Sequence, residues 1–164
     1  MSIWKPAPSL SVRALLISPD QSSICLIRRE KKGRLYYVAP GGGLEKGESP
    51  VDGLRREISE ETGLRFVNPV RRGSVHFEGR SQIYFSAEAT DSKLNGHGIE
   101  HSLIWQTTNG LFHPEWVSFA DLPQITFISD AVKQLLIRVQ QEGWPPKEFA
   151  FRETKRNTSP LKAS

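Results

Sequence analysis

The sequence has few of the features that mark secreted or membrane proteins. Its single cysteine, Cys25, excludes an intramolecular disulfide. Cys25 lies in an apolar, strand-like run, where a free cysteine is typically a small buried hydrophobe rather than a nucleophile. No apolar run approaches the roughly 18 residues that a membrane-spanning helix needs, and residues 1–6 lack the apolar stretch of a signal peptide. We therefore expect a cytoplasmic protein with no membrane partner.

The chain also lacks internal repeats and any shift in composition that would mark a second domain. The local patterns predict an irregular lead-in over residues 1–9, one folded domain over 10–142 and a C-terminal tail over 143–164 that frays. Lysine and arginine together number 22 against 18 aspartates and glutamates, a formal net charge of +4. This excess favours phosphate-bearing partners without identifying one.

One segment carries clear signals for both ends of a helix. Ser49 suits the N-cap, Pro50 suits the first helical position, and Asp52 resembles the acidic member of a capping box. Gly63 follows where a left-handed C-terminal cap would end the helix. The sequence therefore predicts a helix from Pro50 to Thr62.

Most of the other apolar runs are rich in branched residues and predict strands. We expect strands over residues 10–17, 24–29, 35–38, 65–70, 74–77 and 82–89, and short strands over 103–107 and 116–119. The turn-like residues 18–21 should make the first two strands a hairpin, and residues 90–98 should form a polar loop. Helical spacing of apolar residues predicts a further helix over 130–141.

The predicted helix places three carboxylates close to its buried side. At about 100° per residue, its apolar positions form one stripe that must face the core: Val51, Leu54 and Ile58. Glu57 and Glu61 lie beside that stripe, and Glu60 lies on the flank beyond them. Like charges at this spacing repel each other, and partial burial strengthens the repulsion. Mg²⁺ or Mn²⁺ would relieve it, because both ions prefer oxygen ligands.

A solvated helix that pairs its glutamates with Arg55 and Arg56 would also explain the pattern. The residues directly before the helix argue against this simpler interpretation. Gly41, Gly42 and Gly43 there would bring bare backbone close to the carboxylates. A glycine-rich turn is weak evidence alone, but at a fixed distance from the helix it indicates a ligand site.

The spacing of these residues resembles the signature of the Nudix hydrolases. The box spans residues 42–64, and its characteristic positions are filled by Gly42, Glu48, Arg56, Glu57, Glu60, Glu61, Gly63 and the residues between them. The preceding strands and the stretch from Pro114 also resemble this family, so that the similarity extends over about residues 10–140. The resemblance implies an α/β fold, an α/β/α sandwich with a mixed β-sheet.

The resemblance also implies roles for individual residues. The box would form a loop–helix–loop that holds one to three divalent ions, with Glu60 and Glu61 as principal ligands. Glu57 would be a ligand or the general base, and the carbonyl of Gly41 would be a further ligand. Arg56 would orient the glutamates through salt bridges, supported by a neighbouring acidic residue of the box.

By the same resemblance, a later loop is expected to supply another acidic residue. Glu100 is the first candidate and Glu115 the second, against the alternative that each is an ordinary surface glutamate. His97, His101 and His113 lie in the same region, but their spacing matches no metal site, so we expect loop histidines. The expected reaction is attack of water on a diphosphate, because metal ions neutralise its charge and a carboxylate takes the proton.

The sequence indicates the substrate less clearly, because the residues after the box match none of the markers that distinguish Nudix subfamilies. Arg29 and Arg34 belong to a basic run that could grip terminal phosphates, and Tyr37 could stack on a base or simply pack in the sheet. The short connection to the box favours a small-molecule nucleotide, a nucleoside triphosphate or a related compound. ADP-ribose or a nucleotide sugar remains an alternative.

Two further functions stay open at this stage. Hydrolysis at the 5′ end of RNA would suit the basic composition, but the sequence has basic patches rather than the continuous basic path that RNA binding requires. An inactive nucleotide-binding regulatory module is disfavoured, because such modules commonly lose box glutamates. All four are retained here, at positions 48, 57, 60 and 61.

Overall fold

The structure, a computed structural model, describes residues 10–154. The predicted lead-in over 1–9 and the charged end of the chain from residue 155 lie outside the described residues. The strands are β1 (Leu10–Ile17), β2 (Ser23–Lys31), β3 (Arg34–Val38), β4 (Gly41–Gly43), β5 (Phe66–Phe77), β6 (Arg80–Ala89), β7 (Leu111–Ser118), β8 (Phe127–Ile128) and β9 (Phe149–Glu153). The α-helices are α1 (Pro50–Thr62), α2 (Leu103–Asn109) and α3 (Asp130–Glu142).

The strands form one mixed sheet in the order β8-β3-β2-β1-β6-β5-β9, with β4 paired to β1 and β7 paired to β2. The central strand β1 runs antiparallel to β2 and parallel to β6. The predicted hairpin between the first two strands is confirmed, since Leu16 pairs with Cys25. Cys25 itself is fully buried, as expected.

Helices cover both faces of this sheet, so the predicted sandwich is confirmed. Leu54 and Ile58 of α1 pack with alternate residues of β1 and β6 in one buried cluster. Val132 and Leu136 of α3 pack in a second buried cluster with Leu15 and other strand residues. We call these the α1 cluster and the α3 cluster. No helix among residues 10–154 is long and apolar enough to cross a membrane.

The box helix α1 begins and ends as predicted. The hydroxyl of Ser49 accepts a hydrogen bond from the backbone N–H of Asp52 at 3.2 Å, and Gly63 adopts φ 74° at the C-terminal end. Gly53, which is unfavourable for helix stability, is buried against the loop. A Cβ at this position would lie 2.3 Å from the end of the Leu44 side chain, so a larger residue would have to displace that side chain.

Three predictions were wrong. The two strands predicted over 65–70 and 74–77 form one long strand, β5, which pairs along its length with β6. Residues 103–107 form helix α2 rather than a strand, because Ser102 caps its N-terminus by accepting from the N–H of Trp105 at 3.1 Å. The tail does not simply fray from residue 143. Strand β9 adds to the sheet parallel to β5, and Phe149 and Phe151 stack on each other against the α3 cluster. The burial of these two aromatic side chains stabilises the strand.

Candidate active site

Strand β4 places the backbone of two glycines directly against helix α1. Gly41 pairs with Arg13, and Gly42 pairs with Val12 on β1. A Cβ at Gly41 would lie 1.9 Å from the carbonyl oxygen of Val12, and one at Gly42 would lie 2.6 Å from the carboxylate of Glu57. At Gly41, which has φ 146°, only glycine allows this approach to backbone. A side chain at Gly42 would displace the carboxylate of Glu57.

Glu61 is the most deeply buried carboxylate of the site. Its side chain accepts a hydrogen bond from the N–H of Gly41 at 3.0 Å, and the residue is only 5% exposed. Burial raises the pKa of Glu61 to about 8, opposed by the nearby charge of Arg13 and the hydrogen bond from Gly41. The negative charges of Glu57 and Glu100 raise the pKa further. The raised pKa means that the ionised carboxylate lacks enough positive charge around it, and a bound cation would supply that charge.

Arg13 is a residue of the site that the sequence patterns did not predict. Its Nη1 donates to the carbonyl oxygen of Ala39 at 2.9 Å and lies 3.5 Å from that of Gly41. It therefore fixes the chain just before the box, and its charge lowers the pKa of Glu61. The available signal was a lone arginine within the apolar strand run of residues 10–17, because a charge is seldom buried without a partner.

Arg56 connects the carboxylates on the exposed side of α1. Its Nη1 lies 2.9 Å from Glu57 Oε1 and 3.7 Å from Glu60 Oε2, and its Nε donates to Glu48 at 2.8 Å. Hydrogen bonding to Arg56 lowers the pKa of Glu48 to about 2. Burial raises the pKa of Glu57, and Arg56 opposes that shift. The four charges form one network on this side of the helix.

Glu100 joins the group from a separate part of the chain. It lies in a single 3₁₀ turn, Ile99–His101, and its Oε2 is buried without a hydrogen-bond partner. Its negative charge contributes to the raised pKa values of Glu57 and Glu61. A Cβ at Gly98 would lie 2.6 Å from Glu100 Oε2 and 3.3 Å from Glu60 Cβ. The structure thus brings Glu100 beside the box glutamates.

The loop before Glu100 is docked on the C-terminal end of α1. The N–H groups of His97 and Gly98 both donate to the carbonyl oxygen of Glu60 at 2.8 Å, and that of Asn95 donates to Thr62 at 2.8 Å. These bonds satisfy carbonyls that a helix end would otherwise leave unpaired. The loop that we expected to be polar therefore also caps the C-terminal end of helix α1.

Glu115 lies in a different environment. It accepts a hydrogen bond from the hydroxyl of Tyr37 at 3.3 Å and forms an ion pair with Arg28 at 3.5 Å. Its Oε1 also lies 3.4 Å from Nδ1 of His113. Tyr37 packs against the α3 cluster, and burial raises its pKa. Glu115 and Tyr37 thus share a network on the α3 side of the sheet, apart from the α1 cluster.

The two arginines predicted to bind substrate differ in their freedom. Arg29 donates through Nε to the carbonyl oxygen of Leu111 at 3.0 Å and through Nη2 to that of Asn109 at 2.7 Å. Its guanidinium also lies 5.2 Å from the ring centroid of Trp105. Arg34 begins β3 opposite Lys31. Arg29 therefore links β2 to the end of α2 and the start of β7, whereas Arg34 lies at a strand end.

The chemistry of this site suits a divalent cation. Glu57, Glu60, Glu61 and Glu100 offer the hard oxygen donors that Mg²⁺ and Mn²⁺ prefer, and the unpartnered Oε2 of Glu100 lies among them. As placed, no three acidic, histidine or cysteine side chains within residues 10–154 converge closely enough to hold a metal ion. Arg56 pairs with Glu57 and Glu60. In the chemistry of their donor atoms, the carboxylates of the site fit a hard divalent ion.

The chain is similar in sequence to an uncharacterised Nudix hydrolase and to RNA pyrophosphohydrolases. The chain is 41% identical over 54 residues to the uncharacterised Nudix hydrolase YvcI of Bacillus subtilis, covering 33% of each protein. It is 44% identical over 93 residues to an RNA pyrophosphohydrolase of Bartonella clarridgeiae, covering 57% of this chain and 45% of that protein. These alignments span less than half of either relative's length.

Solved structures show the same fold. A MutT structure from work on Aliivibrio salmonicida and Vibrio cholerae matches 78% of this chain and 95% of its own, with a TM-score of 0.62 and 25% identity. A Nudix hydrolase of Nitrosomonas europaea matches 94% of this chain and 83% of its own, with a TM-score of 0.65 and 19% identity. The model of the NUDIX domain matches residues 7–136, and the chain therefore belongs to the Nudix hydrolase family.

Proposed function

We propose that this protein is a divalent-metal-dependent pyrophosphohydrolase of the cytoplasm. It cleaves a phosphoanhydride bond in a nucleoside diphosphate linked to another group, and a nucleoside triphosphate is the substrate class that we favour. The observation that carries the proposal is the position of Glu57 and Glu61 against the bare backbone of β4, with the pKa of Glu61 raised to about 8. Glu60 and Glu100 both lie beside Gly98.

The metal would be Mg²⁺ or Mn²⁺, held by the carboxylates of Glu57, Glu60 and Glu61 and by the carbonyl oxygen of Gly41. When bound, such an ion neutralises charge on the phosphates and lowers the pKa of water. The contact between Gly41 and Arg13 Nη1 is long, at 3.5 Å, and leaves a carbonyl lone pair available. The buried position of Glu61 keeps its carboxylate oriented by the N–H of Gly41.

The remaining residues of the site would orient groups and move a proton. Arg56 positions Glu57 and Glu60 from the solvent side, and Glu48 holds Arg56 in turn. Glu100 would take the proton from the attacking water, because its Oε2 has no competing hydrogen bond within the described residues. A carboxylate in reach of the water is what general base catalysis requires.

We assign the substrate contacts to residues of the sheet. Arg34 would bind a terminal phosphate, and Tyr37, which is also on β3, would contact the base. Arg29 uses Nε and Nη2 to bind main-chain oxygens, so that only Nη1 is left for a phosphate. A small-molecule nucleotide suits this limited set of cationic contacts.

A substrate panel tests the proposal. Nucleoside triphosphates, ADP-ribose, nucleotide sugars and dinucleotides would each be incubated with the protein and Mg²⁺ or Mn²⁺, with product release measured by chromatography. We expect the highest kcat/KM for a nucleoside triphosphate. Faster turnover of ADP-ribose or a nucleotide sugar would keep the chemistry and replace the substrate class.

A second candidate function is hydrolysis at the 5′ end of triphosphorylated RNA. It is favoured by relatives named RNA pyrophosphohydrolase, including one of Helicobacter pylori that is 28% identical over 112 residues, covering 55% of this chain and 71% of that protein. Adding a triphosphorylated oligonucleotide to the panel separates the two. An RNA enzyme would prefer it to the free nucleotide and would bind it with a steep dependence on salt.

A further inference from the structure

A cavity with both polar and apolar walls lies far from the carboxylates. Its volume is about 360 Å³, within the range of small-ligand sites. It opens between the ends of β1, β5 and β6 and the C-terminal end of α3. The residues that line it include Arg72, Ser86, Glu88, Phe119 and Trp144.

The cavity is separate from the candidate active site. Ile17, which lines it, lies five residues along β1 from Val12, the partner of Gly42. At about 3.3 Å per residue in a strand, that separation is roughly 17 Å. Trp144, which also lines it, packs against the α3 cluster, whereas the carboxylates project from α1. A ligand in this cavity would not contact the catalytic glutamates.

Arg72 is held at the wall of the cavity with part of its guanidinium free. Its Nε donates to the hydroxyl of Ser86 at 2.7 Å, and its guanidinium carbon lies 4.4 Å from the ring centroid of Trp144. Within residues 10–154, no carboxylate forms an ion pair with Arg72. Burial lowers the pKa of Arg72, and no negative charge among the described residues pairs with the guanidinium to offset its partial desolvation.

The stacking on Trp144 and the hydrogen bond to Ser86 hold the guanidinium at the cavity wall, and both of these contacts leave the two terminal nitrogens unused. A planar fork of this kind matches the two oxygens of a carboxylate or phosphate. The one carboxylate in the lining, Glu88, accepts a hydrogen bond from the side-chain amide of Asn68. Phe119 forms an apolar part of the wall, suited to the body of a ligand.

We infer that this cavity binds a small molecule through an oxyanion, a phosphate or carboxylate group, with Arg72 as its principal contact. Such an anion would supply the counter-charge that the described part of the chain does not. The Trp144 ring, against which Arg72 stacks, would report binding through its fluorescence. The inference is independent of the proposed catalytic function, because it uses none of the same residues.

Calorimetry with chelated, metal-free protein tests this inference, because EDTA prevents a metal from drawing phosphate to the glutamates. The probes are inorganic phosphate, citrate and adenosine monophosphate, which separate phosphate from carboxylate recognition. Arg72→Gln should weaken the best probe by at least about tenfold. Arg71→Gln is the matched control, since it removes the same charge from an exposed ion pair with Glu148 and should bind as the wild type does.

Arg72→Lys guards against a loss of fold in the glutamine variant. It retains the charge but replaces the fork by a point charge, and should bind several-fold more weakly than the wild type. Circular dichroism would establish that each variant is folded. If no probe binds the wild type at millimolar concentration, or if the folded Arg72 variants bind every probe as tightly as the wild type, the inference is wrong.

Discussion

The imidazole Nε2 of His101 donates a hydrogen bond to the main-chain carbonyl oxygen of Glu61 at 2.6 Å. This bond joins the loop that carries Glu100 to the helix that carries the other three carboxylates. The ring also packs edge-on against Phe112, with centroids 5.4 Å apart. This hydrogen bond needs a residue without a side chain at position 96. A Cβ on Gly96 would lie 2.0 Å from His101 Nε2 and 2.4 Å from the Glu61 carbonyl oxygen.

Gly96→Ala should therefore displace the loop and misplace Glu100. We expect kcat to fall by roughly 10- to 100-fold, since a shift of about 1 Å in a catalytic group can have an effect of this size. The Tm should fall by only a few degrees, because the cores of the sheet are untouched. Steady-state kinetics and thermal unfolding measure the two effects. His97→Ala is the control, because the side chain of His97 makes only a 3.4 Å contact with Ser59, and this variant should keep the wild-type kcat. If Gly96→Ala also keeps the wild-type kcat, the docked loop does not position Glu100.

The second prediction separates the two loop carboxylates. Glu100→Gln should mainly lower kcat, because proton transfer or metal placement acts in the transition state. Glu115→Gln should have little effect on catalysis, since Glu115 is engaged with Arg28, Tyr37 and His113. Both kcat and KM would be measured on the best substrate. A large loss of kcat in Glu115→Gln with none in Glu100→Gln would reverse this assignment, and little loss in either would leave the chemistry to the box glutamates.

The third prediction concerns stability and pH in the metal-free protein. Folding raises the pKa of Glu61 from 4.5 to about 8, so the folded state binds this proton more tightly than the unfolded state. The resulting stability is fully present below pH 4.5 and is lost as pH rises through 8, at about 1.4 kcal/mol per pH unit between the two values.

The measurement is Tm as a function of pH in EDTA. We expect the wild type to lose stability between about pH 5 and 8 and Glu61→Gln to lose less, because glutamine does not ionise. Saturating Mg²⁺ should raise the wild-type Tm near pH 8 but not that of the variant. Parallel pH curves for the two proteins would show that Glu61 does not titrate in this range.

Local signals were sufficient to predict the parts of the site that lie close together in the sequence. Ser49, Pro50 and Gly63 define both ends of α1 through caps that involve only neighbouring residues. The apolar stripe then dictates which face of the helix is buried. The position of Glu61 at the edge of that face follows from helical geometry alone.

The remaining features depend on contacts between distant residues. Arg13 lies 28 residues from Gly41, and His101 lies 40 residues from Glu61, so neither contact has a local sequence signal. Strand β9 forms because Phe149 and Phe151 pack against the α3 cluster. The residues around these two aromatics are mostly polar or proline, so the sequence alone did not predict a strand there. Helix α2 has exposed apolar residues, Leu103 at 83% and Ile104 at 84%, and this composition favoured a strand in the sequence.

The most direct test of the account is the hydrolysis of a nucleoside triphosphate by the wild type and by Glu61→Gln, each with Mg²⁺ and with excess EDTA. We predict turnover by the wild type that requires the metal and vanishes in EDTA. In Glu61→Gln, which removes the charge with almost no change in volume, turnover should fall at least about 100-fold while the protein stays folded. Undiminished turnover in EDTA, or near-normal turnover by the folded variant, would contradict the central claim that these glutamates act through a bound divalent ion.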